Sequence, residues 1–526
     1  MRAPTFTPSV TAVDQPAWAV GARWSIPTLT AAVVLARRRM RLQDNTDGHM
    51  FTAIARNLRC CLSLSSPTDQ YWIRLSPART FAVMPSIPVS DVGPVYPVLA
   101  AIVPGPLDAT FLAINVVACA AVLGVLAAVI ARATGSVIAA VAGSALLVVG
   151  PIQTGLFAHA TFANFAGDHG YDVFAAALLA GAISCLADHP GHPPRLRRAT
   201  ILLTLASLTR YALVAVPLSF VVLGVVGHRH GRSAAAVRRA GAVAACISLA
   251  WQYALYPLVY GSAPKAFAYH RSSARGVLRV VLGWFGADGL VDRHVLLAAS
   301  LFVALFAALG MIIVRRLPTS AAALLATSVV AVSATIVAGQ AFLVSDILLN
   351  DERHYLPVRL CLMTLVVCEA HRVLTHAMWP RRLAIGVTLG VFALLAIRSS
   401  SPLPDPLQPR ARVDTVQSAL RRWPDVLVMS DESTAMLALY DRPALSMITA
   451  TESTTGRVHD PVADLVDLAS GDGAPNELLV IELAPGWRQT LWLPDVACVA
   501  VRSAVTDESA RVRIALVDIS GCAADP

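Results

Sequence analysis

The run Asp44-Asn45-Thr46-Asp47-Gly48-His49 sets two carboxylates three residues apart at the head of a helical pattern. A carboxylate there can act as general base and take a proton from an acceptor hydroxyl, which needs only a positioned side chain within reach. The same residue types also cap helices, because Thr and Asp oxygens accept the first unpaired backbone N–H groups, and one Asp can do both. A second cluster, Asp351-Glu352-Arg353-His354-Tyr355-Leu356-Pro357, places a guanidinium among acids in a short loop. That Arg can grip a phosphate through two parallel hydrogen bonds, or the charges can pair with one another as a solvated turn. Arg210 interrupts the apolar stretch 199–227 and requires a partner, either an anion or an internal carboxylate. Asp168, His169 and Asp172 form a third group, with His270 and Arg271 further along. Their spacing matches no metal signature, so no metal ligand is assigned; acids of several loops converging on a divalent ion is the metal reading that stays open.

Composition says what must hold these residues. The chain has 526 residues, a mean hydropathy of +0.62 and only 14% charged residues against 56% apolar, where soluble domains carry about 25% charged. A water-soluble protein is excluded. Apolar runs approach the roughly 20 residues that a helix needs to cross about 30 Å of hydrocarbon, and backbone in lipid must pair internally, so the runs are helices. Spans are expected at 16–36, 107–131, 136–158, 172–187, 199–227, 236–260, 293–314, 319–345, 355–377 and 383–398. The net charge of +9 comes from Arg clusters between them: Arg195, Arg197 and Arg198; Arg229, Arg232, Arg238 and Arg239; Arg315 and Arg316; Arg381 and Arg382. This is a topology signal and not a nucleic-acid surface.

With those loops on one side, 199–227 must be a hairpin of two short helices turning near Thr209-Arg210-Tyr211. Segments 42–106, 159–171, 261–292 and 346–354 then share the outer face with the Arg210 turn and the tail, and nearly every reactive group named above falls there or, like Asp172, at their edge. Arg37, Arg38, Arg39 and Arg41 run against this placement. It is kept because four loops agree, and because 94–104, closed by Pro104 and Pro106, is too short to be another crossing. Met50, Phe51, Ile54, Leu58, Cys61 and Leu62 recur at helical spacing opposite Arg56, Asn57 and Arg59, which predicts a helix lying in the membrane interface.

After a Pro-rich linker (Pro402, Pro404, Pro406, Pro409) the pattern changes. Strands are expected at 426–429, 478–482, 498–501 and 512–517, and helices at 412–422 and 433–439, making a small α/β domain with no GxGxxG loop. Of nine cysteines none forms a CxxC or zinc pattern; Cys498 and Cys522 can bridge if the tail faces an oxidising compartment. The expected protein is an α-helical polytopic membrane domain over 1–398, with about 10–11 spans, followed by a soluble α/β domain over 399–526.

Four motifs resemble those of the GT-C superfamily of membrane glycosyltransferases, which includes protein O-mannosyltransferases and lipid A aminoarabinose transferases. Asp47-Gly48-His49-Met50-Phe51 with Ile54-Ala55-Arg56-Asn57-Leu58 is similar to the family's Asp-Gly-x-x-Tyr and Ile-Ala-Arg-Asn-Leu run. Gly93-Pro94-Val95-Tyr96-Pro97 looks like its Pro-Pro-Leu-Tyr-Pro, Leu208-Thr209-Arg210-Tyr211 like its Leu-Thr-Arg-Tyr, and Glu352-Arg353-His354-Tyr355-Leu356-Pro357 like its Glu-Arg-Tyr-Leu-Leu-Pro. Where the family opens its fourth span with Glu, this chain has Tyr171-Asp172-Val173-Phe174. The resemblance implies transfer of a sugar from a polyprenyl-phosphate donor to an unknown acceptor hydroxyl, at the outer face of a bacterial inner membrane, with the C-terminal domain extracytoplasmic. Asp47 would be the general base and Asp44 its nearest rival. Arg210 and Arg353 would hold the lipid phosphate beside Glu352 and His354, with Arg56 as a third phosphate residue and Asp168 and Asp172 as acidic support. Membrane lipid is an implied partner and nucleic acid is not. The rival readings are a transporter or flippase of a lipid-linked compound and a non-catalytic scaffold; a transporter more often carries ionisable groups near the bilayer midplane.

Overall fold

The structure is a computed structural model describing residues 17–39, 46–62, 64–66, 74–75, 81–82, 87–88, 93–149, 152–154, 158–160, 162, 170–188, 194–255, 294–342, 356–376, 408–431, 436, 440, 442, 444–446, 469–470, 475–483 and 492–524. The helices are α1 (Ala17–Arg39), α2 (Thr46–Cys61), α3 (Val95–Ile102), α4 (Leu107–Thr134), α5 (Val137–Val149), α6 (Gly170–Leu186), α7 (Leu196–Thr209), α8 (Ala215–Val226), α9 (Arg232–Ala250), α10 (Val295–Arg315), α11 (Ala321–Phe342), α12 (Leu356–His376) and α13 (Gln408–Arg422). The chain divides into two compact units: Met1–Val34 with Ile114–Ala254 and His270–Ser401, and Leu35–Ala113 with Leu255–Tyr269 and Pro402–Pro526.

Among its described residues the first unit is helical apart from one short hairpin. Among the described residues three helices are long and apolar enough to cross a membrane: Leu107–Thr134, Arg232–Leu255 and Val295–Arg315, with Gly170–Leu186, Ala215–Val226 and Ala321–Ala334 among the shorter apolar ones. The run expected over 136–158 is shorter in the structure. Helix α5 stops at Val149, where Gly150 and Pro151 follow, and the chain turns into a hairpin of Ile152–Thr154 against Ala158–Ala160. Proline has no N–H to continue a helix, and the residue before it avoids helical backbone. The expected span at 383–398 lies outside the described residues.

Three of the four Arg-rich loops meet at one end of this unit. Asp188, just after α6, accepts from Ser233 at the start of α9 (3.3 Å) and from Thr319 between α10 and α11, while its own N–H donates to the Thr319 carbonyl (2.9 Å). Arg316 pairs with Glu369 of α12 at 3.2 Å, and Arg132 at the end of α4 donates to Ser184 at 3.1 Å. Helix α7 therefore leaves this end and α8 returns to it, so the chain turns at Arg210 as the Arg count requires. The fourth loop, Arg381 and Arg382, lies outside the described residues. Helices α8 and α9 touch backbone to backbone: a Cβ at Gly241 would stand 2.5 Å from the Pro217 carbonyl, and one at Gly224 2.6 Å from Arg238 Cβ. In lipid, small residues at such crossings supply the dispersion contact that holds helices together.

In the second unit the tail forms one five-stranded sheet. Its strands are β1 (Leu427–Ser430), β2 (Ala444–Ser446), β3 (Glu477–Glu482), β4 (Ala500–Asp507) and β5 (Val512–Asp518), in the order β4-β5-β3-β1-β2. β1 runs parallel to β2 and β3, and β5 is antiparallel to β3 and β4. Alternation sends Val428, Leu479, Ile481 and Ile514 to one face, under Val416 and Ala419 of α13, and Met429, Leu478, Val480 and Val517 to the other, with Cys522. Cys498 and Cys522 are bridged. Strand β2 was not expected, and β4 begins later and runs longer than 498–501. It is an edge strand exposed on both faces, so burial imposes no alternation on it. The helix expected at 433–439 lies outside the described residues except Met436.

Candidate functional site

At the end of the first unit opposite the Arg-rich loops, α7 stops at Thr209. Arg210 takes extended backbone (φ −135°, ψ 106°), and a 3-10 turn over Tyr211–Val214 leads into α8. The hydroxyls of Ser207 and Thr209 donate back to the Leu203 and Leu205 carbonyls (3.0 and 2.8 Å), and the Leu213 N–H bonds the Arg210 carbonyl (2.9 Å). The last of these bonds ties the turn across the break.

The partner required by Arg210 is Asp172. Its carboxylate lies 2.7 Å from Arg210 Nε and is fully buried, while the guanidinium sits over the Tyr171 ring at 5.1 Å. Asp172 belongs to the first turn of α6, where the unpaired N–H groups of the helix favour a negative charge. The helix start is tightly packed: a Cβ on Gly170 would come within 1.7 Å of the buried Asn115 side chain. Of the two alternatives for Arg210, the structure contains the internal carboxylate.

Helix α12 enters at this same end, because Leu356 shares a buried cluster with Val173 and Phe162. Asp351, Glu352, Arg353 and His354 lie outside the described residues, as do Asp44, Asp168, His169, His270 and Arg271. The first turn of α12 also holds Arg359, nine-tenths buried, which the sequence reading passed over. A single charge in the run Leu356-Pro357-Val358-Arg359-Leu360-Cys361-Leu362 was the available signal.

In the second unit Asp47 is the second residue of α2, with Arg56 further along it. The helix is present as expected, and more of its surface is covered by protein than its spacing predicts. Phe51, Thr52, Ala53, Ile54 and Ala55 are buried in succession, and so is Asn57, assigned to the polar face. The cause is α3 and the start of α4: Phe51 meets the Tyr96 ring edge-on at 5.2 Å, and Tyr96 meets Phe111 at 5.1 Å. Arg59 closes this layer. Its guanidinium donates to the carbonyls of Ala100 (2.9 Å), Ala101 (3.1 Å), Val103 (2.5 Å) and Gly105 (2.6 Å). The last carbonyls of a helix have no partner within it, and Pro104 and Pro106 bring no N–H to supply one. Helix α3 has eight residues, about 12 Å of rise, so it is no membrane crossing, as expected. No group of three or more His, Cys, Asp or Glu poised for a metal occurs among the described residues.

No family model matches the sequence. No curated protein matches it either. Solved structures do. The crystal structure of ArnT from Cupriavidus metallidurans bound to undecaprenyl phosphate superposes with a TM-score of 0.56 at 14% identity, over 95% of this chain and 98% of that one. The protein has the GT-C fold. The apo state of the same ArnT gives the same score and coverage. The likeness establishes a polytopic helical membrane protein with a small C-terminal α/β domain, as the apolar runs and strand pattern predicted.

Proposed function

We propose that this protein is a membrane glycosyltransferase that moves a sugar from a polyprenyl-phosphate carrier to an acceptor hydroxyl. The observation that carries this reading is the full-length likeness to ArnT, a protein whose structure holds undecaprenyl phosphate. The Arg210–Asp172 pair supports it. A guanidinium held beside a fully buried carboxylate and over the Tyr171 ring is a preorganised cation, the device that stabilises charge on a departing phosphate. Arg353, with Glu352 and His354, and Arg56 are the further phosphate residues of this reading, and Asp168 adds acidic support beside Asp172. Asp47 is the general base that takes the proton of the acceptor hydroxyl, with Asp44 as the rival.

The bond from the sugar's anomeric carbon to the phosphate oxygen breaks as the acceptor oxygen attacks, and the lipid phosphate leaves with the electron pair. The carrier's tail stays in the bilayer throughout. In this reading residues 1–398 form the transferase domain and 399–526 an extracytoplasmic domain, which the Cys498–Cys522 bridge suits.

The test is transfer of label from a radioactive polyprenyl-phosphate sugar in membranes containing the protein. The parent chain transfers label, and Asp47→Asn loses a hundredfold or more, on the order expected for a general base. Equal transfer by parent and Asp47→Asn removes Asp47 from its role. Carrier-linked sugar crossing the bilayer without transfer identifies a flippase.

A further inference from the structure

The outer end of α9 holds two polar side chains that the mechanism above does not use. Helix α9 ends in a π-turn over Trp251–Leu255; such turns are rare and concentrate at functional sites. Gln252 within it is 7% exposed, and its Nε2 has no hydrogen-bond acceptor among the described residues. Ser248, one turn earlier, is fully buried, and its hydroxyl has no partner among them either. Most Ser and Thr hydroxyls in this unit behave otherwise and donate to the carbonyl four residues back, as Ser144, Ser207, Ser328 and Thr364 do. Thr204, Thr327 and Ser333 of this unit are likewise buried, with hydroxyls unpaired among the described residues. Ser248 and Gln252 stand apart because they lie at i and i+4 on one buried face that runs into the π-turn, and buried polar groups are almost always satisfied.

Register along the helices shows what they stand beside. Gly224 faces Ala234 and Arg238, and Gly241 faces Pro217, Phe220 and Val221, so α8 and α9 run antiparallel. Seven residues past Gly241, about 10 Å of rise, Ser248 comes level with the 3-10 turn Tyr211–Val214, against which α9 packs. Gln252, one turn farther, is carried to the level of Arg210. Both orphaned groups can donate, one through O–H and one through N–H. Their natural complement is an acceptor-rich group, and at the level of Arg210 a phosphate is the group that would also answer its guanidinium.

We propose that Ser248 and Gln252 are phosphate-binding residues that complete the Arg210 site, each donating a hydrogen bond to an oxygen of the carrier's phosphate. This rests on the transferase reading and adds two neutral donors to its cation. In the unliganded protein the unmatched amide is a cost to stability, as is common where a site is preorganised for its ligand.

The experiment is thermal unfolding of the full-length protein in detergent, with and without undecaprenyl phosphate, for the parent, Gln252→Leu, Gln252→Glu and Ser248→Ala. Without lipid, Gln252→Leu unfolds at the parent's temperature or above it, because an apolar side chain of similar size needs no acceptor. With lipid, it binds about tenfold more weakly, the worth of one good hydrogen bond. Gln252→Glu keeps the shape, sets a carboxylate against the phosphate and loses more; Ser248→Ala loses roughly threefold. Inorganic phosphate gives no shift if the lipid is the source, and a shift equal to the lipid's reassigns the site to a soluble anion. Parent-like lipid affinity in Gln252→Leu overturns the proposal. So does a lowered lipid-free midpoint in that variant together with parent-like binding by Gln252→Glu, which assigns Gln252 to packing. A parent that does not bind undecaprenyl phosphate sinks the transferase reading itself, and this proposal with it.

Discussion

The two units each contain an Arg paired with a buried acid and laid over an aromatic ring, and the two constellations live in different solvents. In the helical unit Arg210 meets Asp172 over Tyr171, with the Arg side chain 11% exposed and the carboxylate not at all. In the sheet Arg513 meets Glu482 over Trp492, the acid equally buried but the Arg 33% exposed. The strand register sets the second pair, since Arg513 and Glu482 are direct cross-strand neighbours. No register sets the first; it needs a helix break and a helix start at the same height. A pair that the regular lattice supplies is ordinary sheet chemistry, whereas one requiring two special backbone sites in an apolar bundle marks a place built for a purpose.

Breaking the first pair should show the largest effect. Asp172→Asn removes the buried carboxylate partner of Arg210, and loss of one partner of a buried pair costs about 3–5 kcal/mol. A large fall in thermal midpoint in detergent, partly recovered by adding Arg210→Gln, is the expected result. Glu482→Gln should cost less, about 1.5–3 kcal/mol, because the Arg513 head reaches water; a loss as large as that of Asp172→Asn would erase the contrast. Arg59→Ala follows, at about 1–3 kcal/mol for the released carbonyls. Arg59→Lys should recover only part of it, since an ammonium is a point donor and cannot span four acceptors.

The smallest effect is a pH dependence confined to the sheet. The Asp507 carboxyl is drawn down to about 2 by hydrogen bonds from Ser509, the Ala510 N–H and Thr415. Asp518 is drawn down to about 2 by the Ser520 hydroxyl and N–H and by Arg502. Carboxylates lowered on folding add stability that is complete above the unfolded value near 3.9 (about that of free Asp). That contribution is lost as the pH falls through about 2. Acid titration of the sheet's circular dichroism should therefore bend between these limits, and Asp507→Asn should weaken the bend.

The same contrast explains what could be read in the sequence. Arg210 and the Arg-rich loops stood out because charge is rare in lipid, and from them alone the hairpin at Arg210 followed. The sheet's strands at 427–430, 477–482 and 512–518 were legible because they are buried, and β4 was misjudged because it is not. Arg59 was grouped with Arg56 on a polar face, although the elbow Pro104-Gly105-Pro106 was a sign that some side chain must serve the end of α3. Asn57 was misplaced for a related reason: the helical spacing of α2 identifies the helix, but not that α3 and α4 cover its other side. Gln252 and Ser248 gave no signal, because one amide and one hydroxyl in an apolar helix are common, and what sets them apart is the π-turn at the helix end together with their missing partners.

The central claim is that the break at Arg210 is where the carrier's phosphate is held, and the most direct measurement is an experimental structure of the full-length protein with undecaprenyl phosphate. The account predicts phosphate density within hydrogen-bond reach, about 3 Å, of the Arg210 guanidinium, with Asp172 still on Nε and the Gln252 amide turned toward it. Phosphate density elsewhere, with the Arg210–Asp172 pair closed on itself and Gln252 remote from the lipid, would contradict it.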